Sequence, residues 1–352
     1  MHSYLLGMLE CPACHGDLSW SIAQQRRDRI LDGSAVCRDC GADYPIRDGI
    51  GIFLTPDLPR NDLWEVGSRQ LTSWLAEHPD VETRLMEPPP TELGPADLFF
   101  RGLTHEERRE FDAAEQAFET ARLGFYTEEY LACSRAQSEF LIEELKAGNG
   151  PIVDLASGRC SLVKKLAKAL DRPIIATDFS PTVLRRDRDW LIRNGLYENV
   201  SLLAFDARRT PFRDESINTM TTNMGLPNIE SPGDLLTELR RVVSGRLLAV
   251  SCFYPPDDEA NLAPMREHGL DRSMVREPAL EDLADAGWQA IVRNSMHGLA
   301  RPTPASVIIE GWGIDAFPVA ETTLEWCGLD AQWRALRPGA CREPVDAPGV
   351  VV

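Results

Sequence analysis

Positive charge is scarce in this sequence. Its 37 lysines and arginines face 55 aspartates and glutamates, a formal net charge of −18 over 352 residues. Nucleic-acid binders draw much of their affinity from basic surfaces that neutralise phosphates, so the overall balance speaks against that class. Long apolar runs are missing too. No stretch reaches the length of a membrane span, and Met1 to Gly7 has neither the basic start nor the apolar core of a secretory signal. A cytoplasmic protein without a membrane partner is therefore expected. Nine cysteines, an odd count, argue against a disulfide framework. What is present is an ordinary globular composition, 43% hydrophobic and 26% charged, with room for one large domain and one or two small ones.

Four of the cysteines lie in the first 40 residues as two pairs, Cys11-Pro12-Ala13-Cys14 and Cys37-Arg38-Asp39-Cys40, with twenty-two residues between them. Each C-x-x-C turn aims two thiolates at one point, and two such turns complete a tetrahedron of soft sulfur ligands suited to Zn²⁺. A redox pair would need only one motif beside a βαβ unit, and neither pair sits there. His15 follows a ligand, but four cysteines already close the site, which makes it structural. Leu18 to Val36 reads as a hairpin turning at Asp32-Gly33.

The C-P-x-C opening, and the close from Cys37 through Gly41, Tyr44-Pro45-Ile46 and Asp48-Gly49-Ile50, resemble the small zinc-ribbon activator subunits of tRNA and release-factor methyltransferases. That resemblance covers about residues 5–54 and implies a partner-stabilising role. Five arginines against seven acids in this stretch suit docking on another domain better than gripping nucleic acid.

Residues 56–135 read as an acidic helical linker or lid. Between 55 and 130, seventeen acids face seven bases, a net of −10. Thr104-His105-Glu106-Glu107 reads as a capping box, followed by Phe111, Ala114, Phe118 and Leu123 at helical spacing. A further helix from Thr127 runs towards residue 150. Tyr126 and Tyr130 on this approach are candidates to fold over a bound cofactor, and as half-buried packing residues they would look the same.

Residues 136–316 carry the alternating pattern of a doubly wound α/β sheet, with residues 317–352 left as a tail without a readable motif. Ile152-Val153-Asp154 is a strand ending on an acid. Ala156, Ser157 and Gly158 form the turn before a helix over 162–170. A second strand ends at Asp178, followed by Phe179, and a third ends at Asp206, followed by Ala207. A fourth ends near Asn223 and a fifth spans 246–252. Runs at 289–295 and 306–311 look like the last two strands.

In a dinucleotide fold the loop after the first strand carries three glycines and grips a pyrophosphate. Here the three positions read Ala156, Gly158 and Ser161, and Asp154 at the mouth would repel phosphate. A carboxylate there suits the ammonium of S-adenosylmethionine, with Asp178 on the ribose and Asp206 and the Ala207 N–H at the adenine edge.

The series resembles class I methyltransferases over residues 150–315, through Asp154 to Cys160 and the Pro211-Phe212-Arg213-Asp214-Glu215-Ser216-Ile217 stretch. The resemblance implies a Rossmann-like seven-stranded methyltransferase sheet. Ala156 and Cys160 replace two of the family's glycines. A zinc ribbon joined to such a domain also resembles the ribosomal-RNA guanine N1-methyltransferases, from which this ribbon's end and the long acidic connector depart.

Methyl transfer from a sulfonium is an in-line displacement governed by positioning and desolvation. Asn223 is the candidate to face the methyl group, and His268 in the segment 253–274 is a candidate base. Thr222-Asn223-Met224-Gly225 is not the N-P-P-Y type that methylates exocyclic base amines. The expected activity is methylation of a small molecule or peptide. One alternative is an RNA guanine methyltransferase whose arginines at 185, 186, 188, 193, 208 and 209 contact phosphate. The other is a non-catalytic scaffold with a degenerate cofactor fold.

Overall fold

A computed structural model describes residues 1–58 and 63–333. The end of the tail, with Cys341, lies outside the described residues, as do residues 59–62. The N-terminal part holds β1 (Leu18–Arg26), β2 (Arg29–Cys37), β3 (Asp43–Arg47) and β4 (Ile50–Ile52). Helices α1 (Leu63–Glu77), α2 (Pro79–Met86), α3 (Pro95–Glu107), α4 (Phe111–Phe125) and α5 (Glu128–Lys146) follow.

The alternating part runs β5 (Ile152–Asp154), α6 (Ser161–Ala169), β6 (Ile174–Asp178), α7 (Pro181–Arg193), β7 (Val200–Ala204) and β8 (Ile217–Asn223). It continues with α8 (Pro232–Val242), β9 (Val243–Phe253), α9 (Glu259–Glu267), α10 (Asp271–Met274), α11 (Arg276–Asp285), β10 (Gln289–Ala300) and β11 (Thr322–Gln332).

The eleven strands of the described residues form one sheet, in the order β1-β2-β3-β4-β7-β6-β5-β8-β9-β11-β10. The seven-stranded part is parallel except for β11, which runs antiparallel to both β9 and β10. The ribbon is therefore not a bead beside the doubly wound sheet. Its last strand pairs in parallel with β7, Ile50 opposite Leu202 and Ile52 opposite Ala204, and the Phe53 N–H continues the ladder onto the Ala204 carbonyl at 2.7 Å.

Successive side chains on a strand point to opposite faces, so the sheet has two cores. Ile174, Ala176, Leu202 and Ala204 pack with Leu141, Leu162, Leu184 and Leu191 of the helices on one face. Ile175 and Leu203 pack on the other, with Leu235 and Leu239 of α8 and with Met1, Leu5, Leu9, Ile30, Tyr44 and Phe53 from the ribbon. The ribbon thus shares a core with the doubly wound sheet. The helical segment instead builds small apolar cores of its own: Leu71, Leu85 and Phe100 with Ile309, and Leu98, Ala121 and Phe125 with Ile314.

Several expectations need correcting. The ribbon hairpin turns at Arg27 and Asp28, with Arg27 at φ 55°. Gly33 lies inside β2, where a Cβ would stand 2.5 Å from the Ser21 carbonyl, so close strand approach explains that glycine. Thr104 does not start a helix; it sits in the last turn of α3 and donates to the Phe100 carbonyl. Leu123 is exposed, and Ala117, Ala121 and Phe125 form the buried stripe of α4 instead. Residues 306–311 form turns, pinned by the buried Asp97 carboxylate, which accepts from the Ser306 hydroxyl and the Val307 and Ile308 N–H groups. The seventh strand comes from residues 322–332, beyond 316, so the stretch read as a tail completes the sheet.

Candidate cofactor site and zinc centre

The loop from Asp154 to Ser161 is stitched to the neighbouring strand. The Ser157 N–H donates to the Thr177 carbonyl at 2.7 Å, and the Ser157 and Thr177 hydroxyls both donate to the Asp154 carbonyl, at 2.9 and 2.8 Å. Within it Ala156, Gly158 and Cys160 have φ of 50°, 51° and 53°. That left-handed region costs a non-glycine residue about 1–2 kcal/mol. Both glycine replacements seen in the sequence therefore fall on backbone that would favour glycine. Gly158 keeps glycine at the third left-handed position, where the φ and not crowding favours it, since nothing lies within 4 Å of where its Cβ would be; its N–H donates to Asp178 Oδ2 at 3.0 Å.

Beside the loop lies an opening lined by Ala156, Asp178, Phe179, Asp206, Ala207 and Arg208, with Asn228 and Glu230 also on its wall. Asp178 ends β6, and its other oxygen accepts from the Ser180 N–H at 2.9 Å. Asp206 lies two residues past β7 and is gripped by Arg208, whose N–H and Nε donate to Oδ1 and whose second nitrogen reaches Oδ2 at 2.7 Å. Burial pushes the Asp206 pKa up, but the Arg208 hydrogen bonds and charge outweigh it and hold the carboxyl below its ordinary value. Arg208, which the RNA alternative would turn towards phosphate, is linked at 3.3 Å to Glu230, and Glu230 carries no signal in the sequence because nothing in the local pattern ties it to a strand end.

Five of the residues singled out from sequence thus meet at one opening: Ala156, Asp178, Phe179, Asp206 and Ala207. Asp154 does not line it. It is buried under the loop, where Oδ1 accepts from the Thr221 hydroxyl at 2.8 Å, and burial raises its pKa to about 6. Ser157 is likewise turned to the protein's own hydrogen bonds. Asn223 stands half-buried at the end of β8, two residues past Thr221, ahead of the left-handed Met224.

Tyr126 and Tyr130 are stacked on each other at 4.4 Å. Tyr126 donates to Asp315 at 2.8 Å and Tyr130 meets the Trp326 ring edge-on at 4.8 Å. Neither tyrosine lines the opening. His268 is exposed at the C-terminus of α9, its ring 6.2 Å from that of Phe317, and the structure does not bring it to the opening.

At the ribbon, the Sγ atoms of Cys11, Cys14, Cys37 and Cys40 all lie within 4.8 Å of one another. Cys11 and Cys40 are 3.6 Å apart and Cys14 and Cys37 3.5 Å, close to the roughly 3.8 Å edge of a tetrahedron with 2.3 Å Zn–S bonds. The donor set fits Zn²⁺. Tyr44 reaches Cys11 Sγ at 3.2 Å as an outer hydrogen bond, and His15 turns to Glu10 at 2.8 Å rather than to the cluster.

Comparison with known proteins agrees with both halves. Residues 153–247 match the family described as "Methyltransferase domain", and residues 2–49 match "Trm112p-like protein". The ubiquinone/menaquinone biosynthesis C-methyltransferases UbiE of Ectopseudomonas mendocina and Pseudomonas fluorescens are 30% and 31% identical to this chain over 127 residues. The matches cover 34% of this chain and 49% of each relative, so the chain spans about half the length of the curated relatives it matches. A SAM-dependent methyltransferase from Aquifex aeolicus aligns over 56% of this chain and 92% of its own, at 15% identity and a TM-score of 0.39. The chain combines a methyltransferase domain with a Trm112p-like zinc ribbon. Among the described residues, no helix is long and apolar enough to cross a membrane.

Proposed function

We propose that this protein is an S-adenosylmethionine-dependent methyltransferase that acts on a small molecule, with its zinc ribbon serving as a permanent edge of the catalytic sheet. The carrying observation is the opening beside Gly158, flanked by the strand-end carboxylates Asp178 and Asp206 within the matched domain. S-adenosylmethionine, when bound, supplies an electrophilic sulfonium methyl group.

Asp178 is placed to accept from both ribose hydroxyls. The Ala207 N–H and the remaining lone pair of Asp206 Oδ2 suit the adenine edge, and Arg208 fixes that carboxylate. Phe179 offers an apolar wall. Asp154 acts from beneath: a buried carboxyl that charges near pH 6 complements a cationic ligand without facing solvent. The acceptor side falls at the ends of β8 and β9, at Asn223 and the buried Tyr254. Burial raises the Tyr254 pKa, so its phenol stays neutral. His268, exposed, has no part in this scheme.

The relatives named as C-methyltransferases extend the proposal to a carbon acceptor. An RNA acceptor is disfavoured by where the arginines go. Arg186 pairs with Glu107 and Arg193 with Asp112 of the helical segment, Arg188 with Asp48 and Asp189, Arg208 with Asp206, and Arg209 with Asp57 at 2.5 Å. The cations available for phosphate are largely spent inside the chain.

Calorimetric titration with S-adenosylmethionine tests the reading. Single-site binding is expected, weakened about 10- to 100-fold in Asp178→Ala through two lost charge-assisted hydrogen bonds. Absence of both heat and thermal shift in the wild type would instead favour the scaffold. Labelled methyl transfer into tRNA or ribosomal RNA, but not into small quinols or phenols, would overturn the acceptor class.

A further inference from the structure

The cofactor loop keeps its shape although two of the positions that favour glycine hold Ala156 and Cys160. Strained backbone persists only where its surroundings over-determine it. From inside, Cys160 is fully buried and Ser157 is bonded to the strand below. Arg159, between the left-handed Gly158 and Cys160, is the side chain that leaves the loop outward.

Its guanidinium meets the Glu106 carboxylate in a two-point pair, 3.1 Å from Nη1 to Oε2 and 2.9 Å from Nη2 to Oε1, with both side chains largely buried. The face of Phe118 lies 4.0 Å from the same guanidinium. Glu106 is in the last turn of α3 and Phe118 is in α4. Phe118 is itself fixed against α3, since a Cβ on Gly102 would stand 2.7 Å from its ring. Both helices of the α3–α4 hairpin thus grip one side chain of the loop. A planar fork held at two points and stacked on an aromatic face leaves the arginine little freedom to swing.

We propose that Glu106 and Phe118 are positioning residues of the cofactor site: through Arg159 they hold the 156–160 turn in its left-handed form from outside, where glycines would otherwise allow it. The consequence for binding rests on the proposed S-adenosylmethionine activity, whereas the consequence for the empty loop does not. Neither residue touches the cofactor opening, so their effect passes through the loop backbone alone.

The test measures two quantities on the full-length protein: hydrogen exchange of the amides of Ser157, Gly158 and Cys160 without cofactor, and calorimetric S-adenosylmethionine affinity. All three amides are hydrogen-bonded in the turn and report its opening. Glu106→Gln and Arg159→Lys should each speed that exchange by about five- to tenfold and weaken cofactor binding by a similar factor, with an unchanged fold by circular dichroism. Asp112→Asn, which removes an exposed pair with Arg193 on the same hairpin, should move neither quantity.

Exchange and affinity that stay at wild-type values in Glu106→Gln and Arg159→Lys would overturn the clamp, as would equal acceleration in Asp112→Asn. A wild type that does not bind the cofactor sinks the functional reading, and the exchange arm still decides the clamp. If Glu106→Gln does not fold, Arg159→Lys, which keeps the charge and loses the fork, carries the same decision.

Discussion

The two segments outside the methyltransferase-like sheet are attached to it by opposite means. The ribbon has merged with it: β4 continues the sheet past β7, and Met1, Leu5, Ile30 and Phe53 share a core with Ile175 and Leu203. The α1–α4 segment keeps apolar cores of its own and meets the 156–160 loop through Arg159–Glu106 and α7 through Arg186–Glu107, Arg193–Asp112 and Arg109–Asp189. Burial and backbone pairing are insensitive to salt, whereas exposed ion pairs are screened by it. One attachment should therefore depend on metal and packing, the other on charge. Two acids of the middle segment have a local purpose in this arrangement: Glu107 and Asp112 pair with Arg186 and Arg193 of α7.

Breaking the ribbon should have the largest effect. Four thiolates hold its two knuckles together, and without Zn²⁺ they become mutually repelling or protonated groups with no partner, so metal binding is part of folding. Treatment with a zinc chelator is expected to lower the melting temperature by about 10 °C or more. Because β7 leads to Asp206, it should weaken cofactor binding as well. An unchanged melting curve would show that the shared core alone holds the ribbon.

Next comes Phe53→Ala. Phe53 is fully buried, stacked on Tyr44 at 5.5 Å and bonded through its N–H to Ala204, and the truncation should cost about 3–5 kcal/mol by denaturant unfolding. A loss under about 1 kcal/mol would mean that the seam contributes little and that ribbon and sheet are independent.

Asp154 serves as an internal control that depends on neither attachment. Its folded pKa is raised, from 3.8 to about 6, chiefly by burial. The sign follows directly: the neutral carboxyl is tolerated below the unfolded value, and the relative stability is lost as pH rises from about 4 through 6. Against Asp154→Asn, which stays neutral, the wild type should lose on the order of 3 kcal/mol between pH 4 and pH 7. Parallel curves for the two proteins would contradict a desolvated carboxyl. Addition of S-adenosylmethionine at pH 5 should release protons if the cationic ligand draws Asp154 into its charged form.

How much of this the sequence displayed depends on the range over which each feature is encoded. The zinc ligands and the acids at 178 and 206 are local: a knuckle fits in four residues, and a strand running apolar to acid shows its own end. The same local logic misplaced Asp154, because a strand-end acid looks alike whether it faces solvent or Thr221. The seventh strand is hidden in the sequence because Thr322–Gln332 lies between two other strands and is interrupted by Glu325, Gly328 and Asp330. Those charges are answered from afar by Arg276 and Arg246. The union of β4 with β7 joins residues about 150 apart and leaves no mark on Ile50-Gly51-Ile52 beyond its apolarity. Arg159, similarly, reads as a solvated loop residue until α3 is placed over it.

Salt gives the smallest effect and the sharpest separation of the two attachments. Exposed pairs are worth about 0–1 kcal/mol each, and raising ionic strength from about 0.05 M to 0.5 M shortens the screening length to roughly 4–5 Å. The hairpin pairs differ in exposure: Arg193–Asp112 is open to solvent, while Arg159–Glu106 is largely covered. Salt should therefore loosen the hairpin's outer contacts by about 1 kcal/mol in total and spare the clamp on the cofactor loop. Hydrogen exchange resolves this by segment. Faster exchange over residues 95–125 with unchanged rates over β2 to β4 is the expected pattern. Equal acceleration in both would place the ribbon, too, on an electrostatic footing, and the contrast between the two attachments would collapse.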